Sequence, residues 1–315
     1  MTLPALLPEA IRIASGPVFH YTSARGLIAV VQSGRVWASE ASSLNDRAEV
    51  RQGWDSIQSH LEDHQDSDAG RWLMDLASDG HHKKGHDVFM LCASTRGDDA
   101  NQWRLYAAEG RGYALELDSS VQLAAFSEKA PTRPGGTGGK RLPFNAITSS
   151  ASVTPWMHVL YTDDEIARVV DELVTRAGAR LEQVDRETDS EAKDFYGEQV
   201  RDDAHEALEG IAHLIKSPGF SGENEVRAVA TFAWGRDHVG YRESPTGVAG
   251  YAVLTSAPDG RGDIVCGPPH IPSLPIDGVR LGPLLAEENI PTIQGLLSQH
   301  NLRDARVDQS AVPLR

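Results

Sequence analysis

Glu223-Asn224-Glu225-Val226-Arg227-Ala228-Val229-Ala230-Thr231-Phe232 follows a Pro218-Gly219 turn, and its reading decides the fold. From that turn onward the chain is β-rich, with strands expected over 225–234, 249–255 and 264–267. Side chains alternate along a strand, so Glu223, Glu225 and Arg227 are expected on one face. Two carboxylates and a guanidinium are costly to bury unless they pair or line a cleft. A solvent-facing strand edge with an ordinary ion pair fits the same spacing.

Upstream of the turn the pattern over 163–216 is helical, in two long segments split near 185–190. Before that lies 131–152, rich in Pro and Gly and read as a flexible loop. The amino-terminal part predicts a short helix over 4–14, a strand over 19–22 and a helix capped by Ser23 and stopped by Gly34. Leu27, Ile28 and Val31 are expected to share one face of that helix. A strand over 35–39, a polar loop over 42–46, a helix over 47–62 and a buried strand over 87–94 follow. Asp99 is positioned to cap a short helix carrying Gln102 to Tyr106, and 112–118 alternates as a strand. Near the end, 281–300 reads as a helix interrupted by Pro291, and 305–309 as a last strand. Strands on both sides of a helical insertion predict one α+β domain over 1–315 with a mixed or antiparallel sheet core.

The chain has 315 residues, 40% hydrophobic and 24% charged, an ordinary globular balance. Its formal charge of −15 disfavours non-specific attachment to nucleic acid or anionic membrane but leaves room for a local basic pocket. Cys92 and Cys266 each lie in an apolar run and read as buried thiols. No apolar stretch reaches the roughly 18–20 residues that span a bilayer. The first residues lack a signal-peptide pattern and carry Glu9, so a cytoplasmic location without membrane partners is expected. No dinucleotide-type or Walker-type glycine loop, no nucleophile elbow and no zinc-type cysteine spacing is present. His81, His82 and His86 surround Lys83 and Lys84, a basic setting that disfavours a cation, and no metal is expected.

Two further segments carry chemistry-bearing residues. His20 stands where a strand hands over to a helix, beside Tyr21, Thr22 and Ser23, whose hydroxyls and helix amides can present to a phosphate; a structural histidine fits the same place. Gln102-Trp103-Arg104-Leu105-Tyr106 combines a core-type indole with a guanidinium suited to clamp a phosphate or carboxylate. Tyr106 reads either as a stacking platform or as a core ring with a bonded hydroxyl.

These segments resemble successive motifs of a widespread bacterial family, the domain of unknown function 2971. The motifs are His20-Tyr21-Thr22-Ser23, Ser43-Leu44-Asn45-Asp46 with Glu49, Ser94 to Asp98 with Gln102-Trp103-Arg104-x-Tyr106, and Lys216-x-Pro218-x-Phe220-x-x-Glu223-x-Glu225-x-Arg227. Gly267-Pro268, Ser310-Ala-Val-Pro313 and Arg315 complete the series. The chain departs from the pattern with Ala107-Ala108-Glu109 where a glycine follows the tyrosine, and with Val226 where an aromatic is common. More distantly, the order His20, Tyr106, Glu225 is similar to the triad of ADP-ribosyltransferases. That resemblance implies a split sheet and NAD as substrate, with nicotinamide–ribose cleavage by a transferase or glycohydrolase in toxin, phage-defence or modification systems. It implies ribose or adenosine contact by His20, nicotinamide stacking by Tyr106 or Tyr21, catalysis by Glu225 and acceptor orientation by Glu223. Thr22, Ser23, Asn45, Asp46, Ser94, Gln102, Trp103, Arg104 and Arg227 would complete the nucleotide site, with Arg104 on the pyrophosphate. The acceptor stays open among protein, nucleic acid and small molecule. A nucleotide- or protein-binding module without turnover, or a metal-dependent hydrolase or nuclease using Glu223 and Glu225, would employ the same residues.

Overall fold

The computed structural model describes residues 6–41, 47–80, 87–127, 151–232, 238–244, 247–257, 265–266 and 273–313. Elements follow in the order β1 (Pro17–Thr22), α1 (Ala24–Ser33), β2 (Val36–Glu40), α2 (Arg47–Glu62), α3 (Asp68–Gly80), β3 (Asp87–Ser94), α4 (Ala100–Tyr106), β4 (Tyr113–Asp118) and β5 (Leu123–Ser127). Then come β6 (Ala151–Val153), β7 (Met157–His158), α5 (Asp163–Asp185), α6 (Ser190–Ala212), β8 (Glu225–Phe232), β9 (Gly240–Ser244), β10 (Gly247–Ser256), β11 (Val265–Cys266), β12 (Ile276–Leu281), α7 (Ile290–Gln299) and β13 (Arg306–Gln309).

The strands among the described residues join one sheet in the order β11-β5-β10-β2-β3-β1-β4-β12-β13, with β8 bonded to β3 and β9 to β10. Only β11–β5 and β12–β13 pair in parallel among them, so the α+β class with a mixed, mainly antiparallel sheet holds. β3 is where the sheet divides. One edge pairs with β8 along its whole length, while the other meets β2 at Phe89 and Met90 and β1 only at Ser94.

The apolar run of β8 has a simple cause: both faces are covered. Val226, Ala228, Ala230 and Phe232 join Phe89, Leu91 and Ala93 in the core on one side. Val229, with Val88 and Met90, meets α2, α3, α5 and α6 on the other. These four helices form one layer, so α5 and α6 lie against helices from the amino-terminal part. Thr162 caps α5 through a reciprocal capping box with Glu165.

Local chemistry explains most boundaries. Ser23 accepts a hydrogen bond from the Gly26 amide, and Gly34 ends α1 at φ 66°. Four expectations are corrected. Residues 6–16 form no helix; Pro8 lacks an amide hydrogen and disfavours helix at Leu7, and Leu6, Leu7 and Ile11 are buried individually. In α1 the buried face is Leu27, Val30 and Val31, while Ile28 is exposed. The last helix is not interrupted: Pro291 sits in the first turn of α7, where its missing N–H costs nothing, and Leu281 belongs to β12. Finally, the strand begins at Glu225, not Glu223, because Pro218–Glu223 is a 3-10 helix. Of the 131–152 loop, residues 131–150 lie outside the described residues, and 151–152 open β6.

The helical layer and the sheet share β3 and β8, so they should unfold together. Leu173→Ala, which removes a fully buried side chain of α5, is expected to cost about 2–5 kcal/mol in urea unfolding while keeping a single transition. The exposed Glu198→Ala should leave the midpoint nearly unchanged.

Candidate functional site

Glu225 and Arg227 project from β8 toward the helical layer, as Val229 does. Their charges are compensated within that layer. Arg227 donates through Nε to Glu225 Oε1 at 2.8 Å and through Nη2 to Glu225 Oε2 at 3.1 Å and Glu49 Oε2 at 3.0 Å. Its Nη1 donates to the His213 carbonyl at 2.7 Å, at the end of α6. Lys216 Nζ bridges two glutamates, 2.8 Å from Glu223 Oε2 and 2.9 Å from Glu225 Oε2, with Glu49 Oε1 at 3.5 Å.

Glu223 reaches this cluster by a route that strand alternation does not describe. It ends the 3-10 helix, and Asn224 then adopts φ 47°, a left-handed conformation that asparagine tolerates better than most residues. The Glu223 carbonyl is fixed by the Ser94 hydroxyl at 2.7 Å and the Gln102 amide at 3.2 Å. Its Oε1 accepts from the Tyr106 hydroxyl at 3.2 Å. Tyr106 is 45% exposed and forms the open edge of the cluster.

Burial would raise the Glu225 carboxyl, but Arg227 and Lys216 outweigh it and hold the group down at about 2. Burial likewise disfavours the Lys216 ammonium, and Glu225, Glu223 and Glu49 reverse the effect, keeping it protonated. The Tyr106 hydroxyl is pushed up by burial and by the Glu223 charge, so it stays a donor. Tyr161, whose hydroxyl accepts from the Glu225 amide at 3.1 Å, is raised to about 12, mainly by burial.

The cluster thus unites Glu223, Glu225, Arg227, Tyr106, Gln102 and Ser94. His20 stands elsewhere. Pleating places Phe19, Ser94 and Glu225 on one face through their register and turns His20 to the other. Its Nδ1 donates to the Cys92 carbonyl at 2.9 Å across the divide in the sheet, on the edge where Leu91, Cys92 and Ala93 have no strand partner among the described residues. A carbonyl only accepts, so the proton is on Nδ1 and Nε2 carries a lone pair. Burial lowers the pKa of the ring and keeps it neutral.

Other candidates take structural places. The Tyr21 hydroxyl donates to the Arg96 carbonyl at 2.8 Å and its ring meets Trp103 edge-on at 4.8 Å. Trp103 is fully buried, and its Nε1 donates to Asp98 Oδ1 at 2.7 Å. Ser23 caps α1, and Thr22 covers Gly26 so closely that a Cβ there would collide with its Oγ1. Arg104 is exposed on α4, about 200° around the helix from both Gln102 and Tyr106, which face Glu223. Asn45, Asp46, His81, His82, His86, Gly267, Pro268 and Arg315 lie outside the described residues. The departure after Tyr106 falls where glycine is favoured, because Ala108 and Glu109 adopt φ 48° and 56°.

Lys216 and Glu49 stand in the quoted motifs but point to no role there, since their partners become visible only when α2 meets β8. Asp98 is the other such residue: it accepts from Trp103, from the Ser310 hydroxyl at 2.5 Å and from the Ala311 amide at 2.8 Å. It thereby ties α4 to the segment after β13.

Fold and cluster together describe an α+β protein with a buried, ionised core site beside a divided sheet. Residues 102–228 match the profile of the family described as "Protein of unknown function (DUF2971)". The matched stretch runs from Gln102 to the start of β8 and includes Tyr106, Lys216, Glu223, Glu225 and Arg227. No curated protein and no solved structure matches the chain. Among the described residues no helix is long and apolar enough to cross a membrane.

A carboxyl group held down in the folded state contributes stability that is present above its unfolded value and lost as pH falls. For Glu225 the window runs from its ordinary 4.5 down to about 2. Stability towards urea should therefore weaken across that window, and Glu225→Gln should flatten the slope. Arg227→Met, which strands buried carboxylates, is expected to cost about 3–5 kcal/mol at neutral pH.

Proposed function

We propose that the corner formed by Tyr106 and Glu223 binds NAD and cleaves its nicotinamide–ribose bond, with transfer to an acceptor or to water. The observation that carries this reading is the charge balance beside an open aromatic ring. Among the described residues, three carboxylates (Glu49, Glu223 and Glu225) are met by two cations, Lys216 and Arg227, and the half-exposed Tyr106 donates to Glu223.

Cleavage of the N-glycosidic bond sends its electron pair to the cationic nicotinamide ring, which leaves neutral, and the ribose becomes oxocarbenium-like. A preorganised excess of negative charge stabilises that cation. Glu223 is the carboxylate assigned to face it, since it takes one charged donor and one phenol. Glu225 takes donors from Lys216 and Arg227 on both oxygens and acts as the positioning residue for Lys216. The exposed ring of Tyr106 offers a surface for the nicotinamide. Attack by an acceptor or water on the anomeric carbon completes the reaction and releases the nucleophile's proton to solvent. The division of the sheet at β3 supports the analogy with ADP-ribosyltransferases, while His20, on the face away from Glu225, has no part in this reading.

The saturation of Glu225 favours one other reading, a nucleotide-binding module without turnover. A divalent ion shared by Glu223 and Glu225 is disfavoured, because Lys216 Nζ occupies the position between them.

Incubation with NAD in the absence of added metal, with nicotinamide quantified chromatographically, tests the proposal. Wild type should release nicotinamide, and Glu223→Gln should lower the rate about 100-fold or more when both proteins are assayed at a temperature where each is folded by circular dichroism. Tyr106→Ala should raise KM more than Tyr106→Phe does. Binding without release supports the module, and neither binding nor release sinks the NAD reading.

A further inference from the structure

The helical layer covers β3 and β8, but the same face of the sheet continues past it across β2, β10 and β9. Alternation sorts the side chains there. Val36, Ala38, Ala252 and Leu254 enter the core, so Trp37, Ser39, Tyr251 and Val253 point outward. Trp37 stacks on Tyr251 with ring centroids 4.1 Å apart and planes at 21°, yet remains 49% exposed. Tyr251 lies over Gly240 of β9, where a Cβ would collide with the ring, so the glycine leaves room for the stack.

Two arginines border the pair. Arg35, two residues before Trp37 and on the same face, holds its guanidinium 3.5 Å from the centroid of the Phe126 ring. On the other side Arg242, opposite Ala249, donates through Nη2 to Ser39 Oγ at 2.9 Å. Its buried Nε has no hydrogen-bond partner among the described residues. Among the described residues of β2, β5, β9 and β10 this face carries no carboxylate, since alternation puts Glu40 and Glu243 on the opposite one. Two guanidinium groups thus stand on this face, beside the aromatic pair, in a chain of net charge −15.

We propose that this face binds a single-stranded nucleic acid, with one base stacked on Trp37, a neighbouring base against the Arg35–Phe126 pair, and backbone phosphate held by Arg242. Stacked aromatics accept any base through its π-face, and local cations beside them follow the phosphates. The Arg35 guanidinium, 3.5 Å from the Phe126 ring centroid, offers a second π-type station two residues, or roughly 6.6 Å, from the indole. Two such stations suit consecutive bases, where a mononucleotide would use only one. The site is separate from the Tyr106–Glu223 corner and does not depend on its reading.

Fluorescence anisotropy of the full chain with labelled oligouridylate and oligodeoxythymidylate of about twelve nucleotides, a length within the footprint of one such platform, tests the proposal. Both strands should bind at low salt and weaken as salt rises, and the matching duplex should bind at least about tenfold less well, since its bases are not free to stack. Trp37→Ala should weaken binding about tenfold, Trp37→Phe much less, and Arg242→Gln should reduce the salt slope by about one. If Trp37→Ala lowers the melting temperature, Trp37→Phe and Arg242→Gln decide the matter. No binding by wild type, equal binding of the duplex, a mononucleotide competing as tightly as the oligomer, or indifference of binding to Arg242→Gln would overturn the assignment.

Discussion

Everything near the site depends on β8 being enclosed. Its edges are bonded to β3 on one side and to β6 and β7 on the other, and its faces meet the sheet core and the helical layer. A strand in that position cannot offer its charged residues to bulk water. Glu225 and Arg227 must be answered from other elements: Glu49 from α2, Lys216 and the His213 carbonyl from the segment after α6. The network therefore fastens the helical layer to the sheet as much as it assembles a site. Replacing such pairs by apolar groups is often tolerated, whereas removing one member is not, so the network rewards being kept whole.

The elements that local chemistry determines were legible in the sequence. Val50, Trp54, Ile57 and Leu61 announce α2 by spacing, Ser23 and Gly34 bracket α1, and the split near 185–190 falls between α5 and α6. Short strands such as β6, β7 and β12 were missed, because two to six residues carry little periodic signal and their pairing is decided by distant partners. The helix α3 was obscured by the acidic run leading into it, though Leu73, Leu76 and Ala77 form its buried face.

The site was legible in composition and less so in geometry. Sharing of one face by Glu225 and Arg227 followed from alternation, and so did the proximity of Gln102 and Tyr106 from their helical spacing. The route of Glu223 did not, since it depends on a left-handed residue at Asn224. Nor did the placing of His20, which register turns away from the glutamates while its ring closes the gap beside Cys92. Arg104 illustrates the limit of reading a cluster by sequence proximity: it adjoins Trp103 in the chain and faces the other way.

The carboxylate of Asp98 has one further consequence, which concerns the order in which the molecule is completed during synthesis. Two of its three donors, the Ser310 hydroxyl and the Ala311 amide, are 212 and 213 residues further along the chain. Until the ribosome has released that segment, Asp98 holds only Trp103, and α4 lacks its second anchor. The helical layer and the strands up to β10 can form from earlier residues, with amino-terminal parts folding first, while β12 and β13 join the sheet only as the same late segment emerges. The contacts of Gln102 and Tyr106 with Glu223 can form before that segment emerges, so the last tie on α4 is the clasp of Asp98 by Ser310 and Ala311.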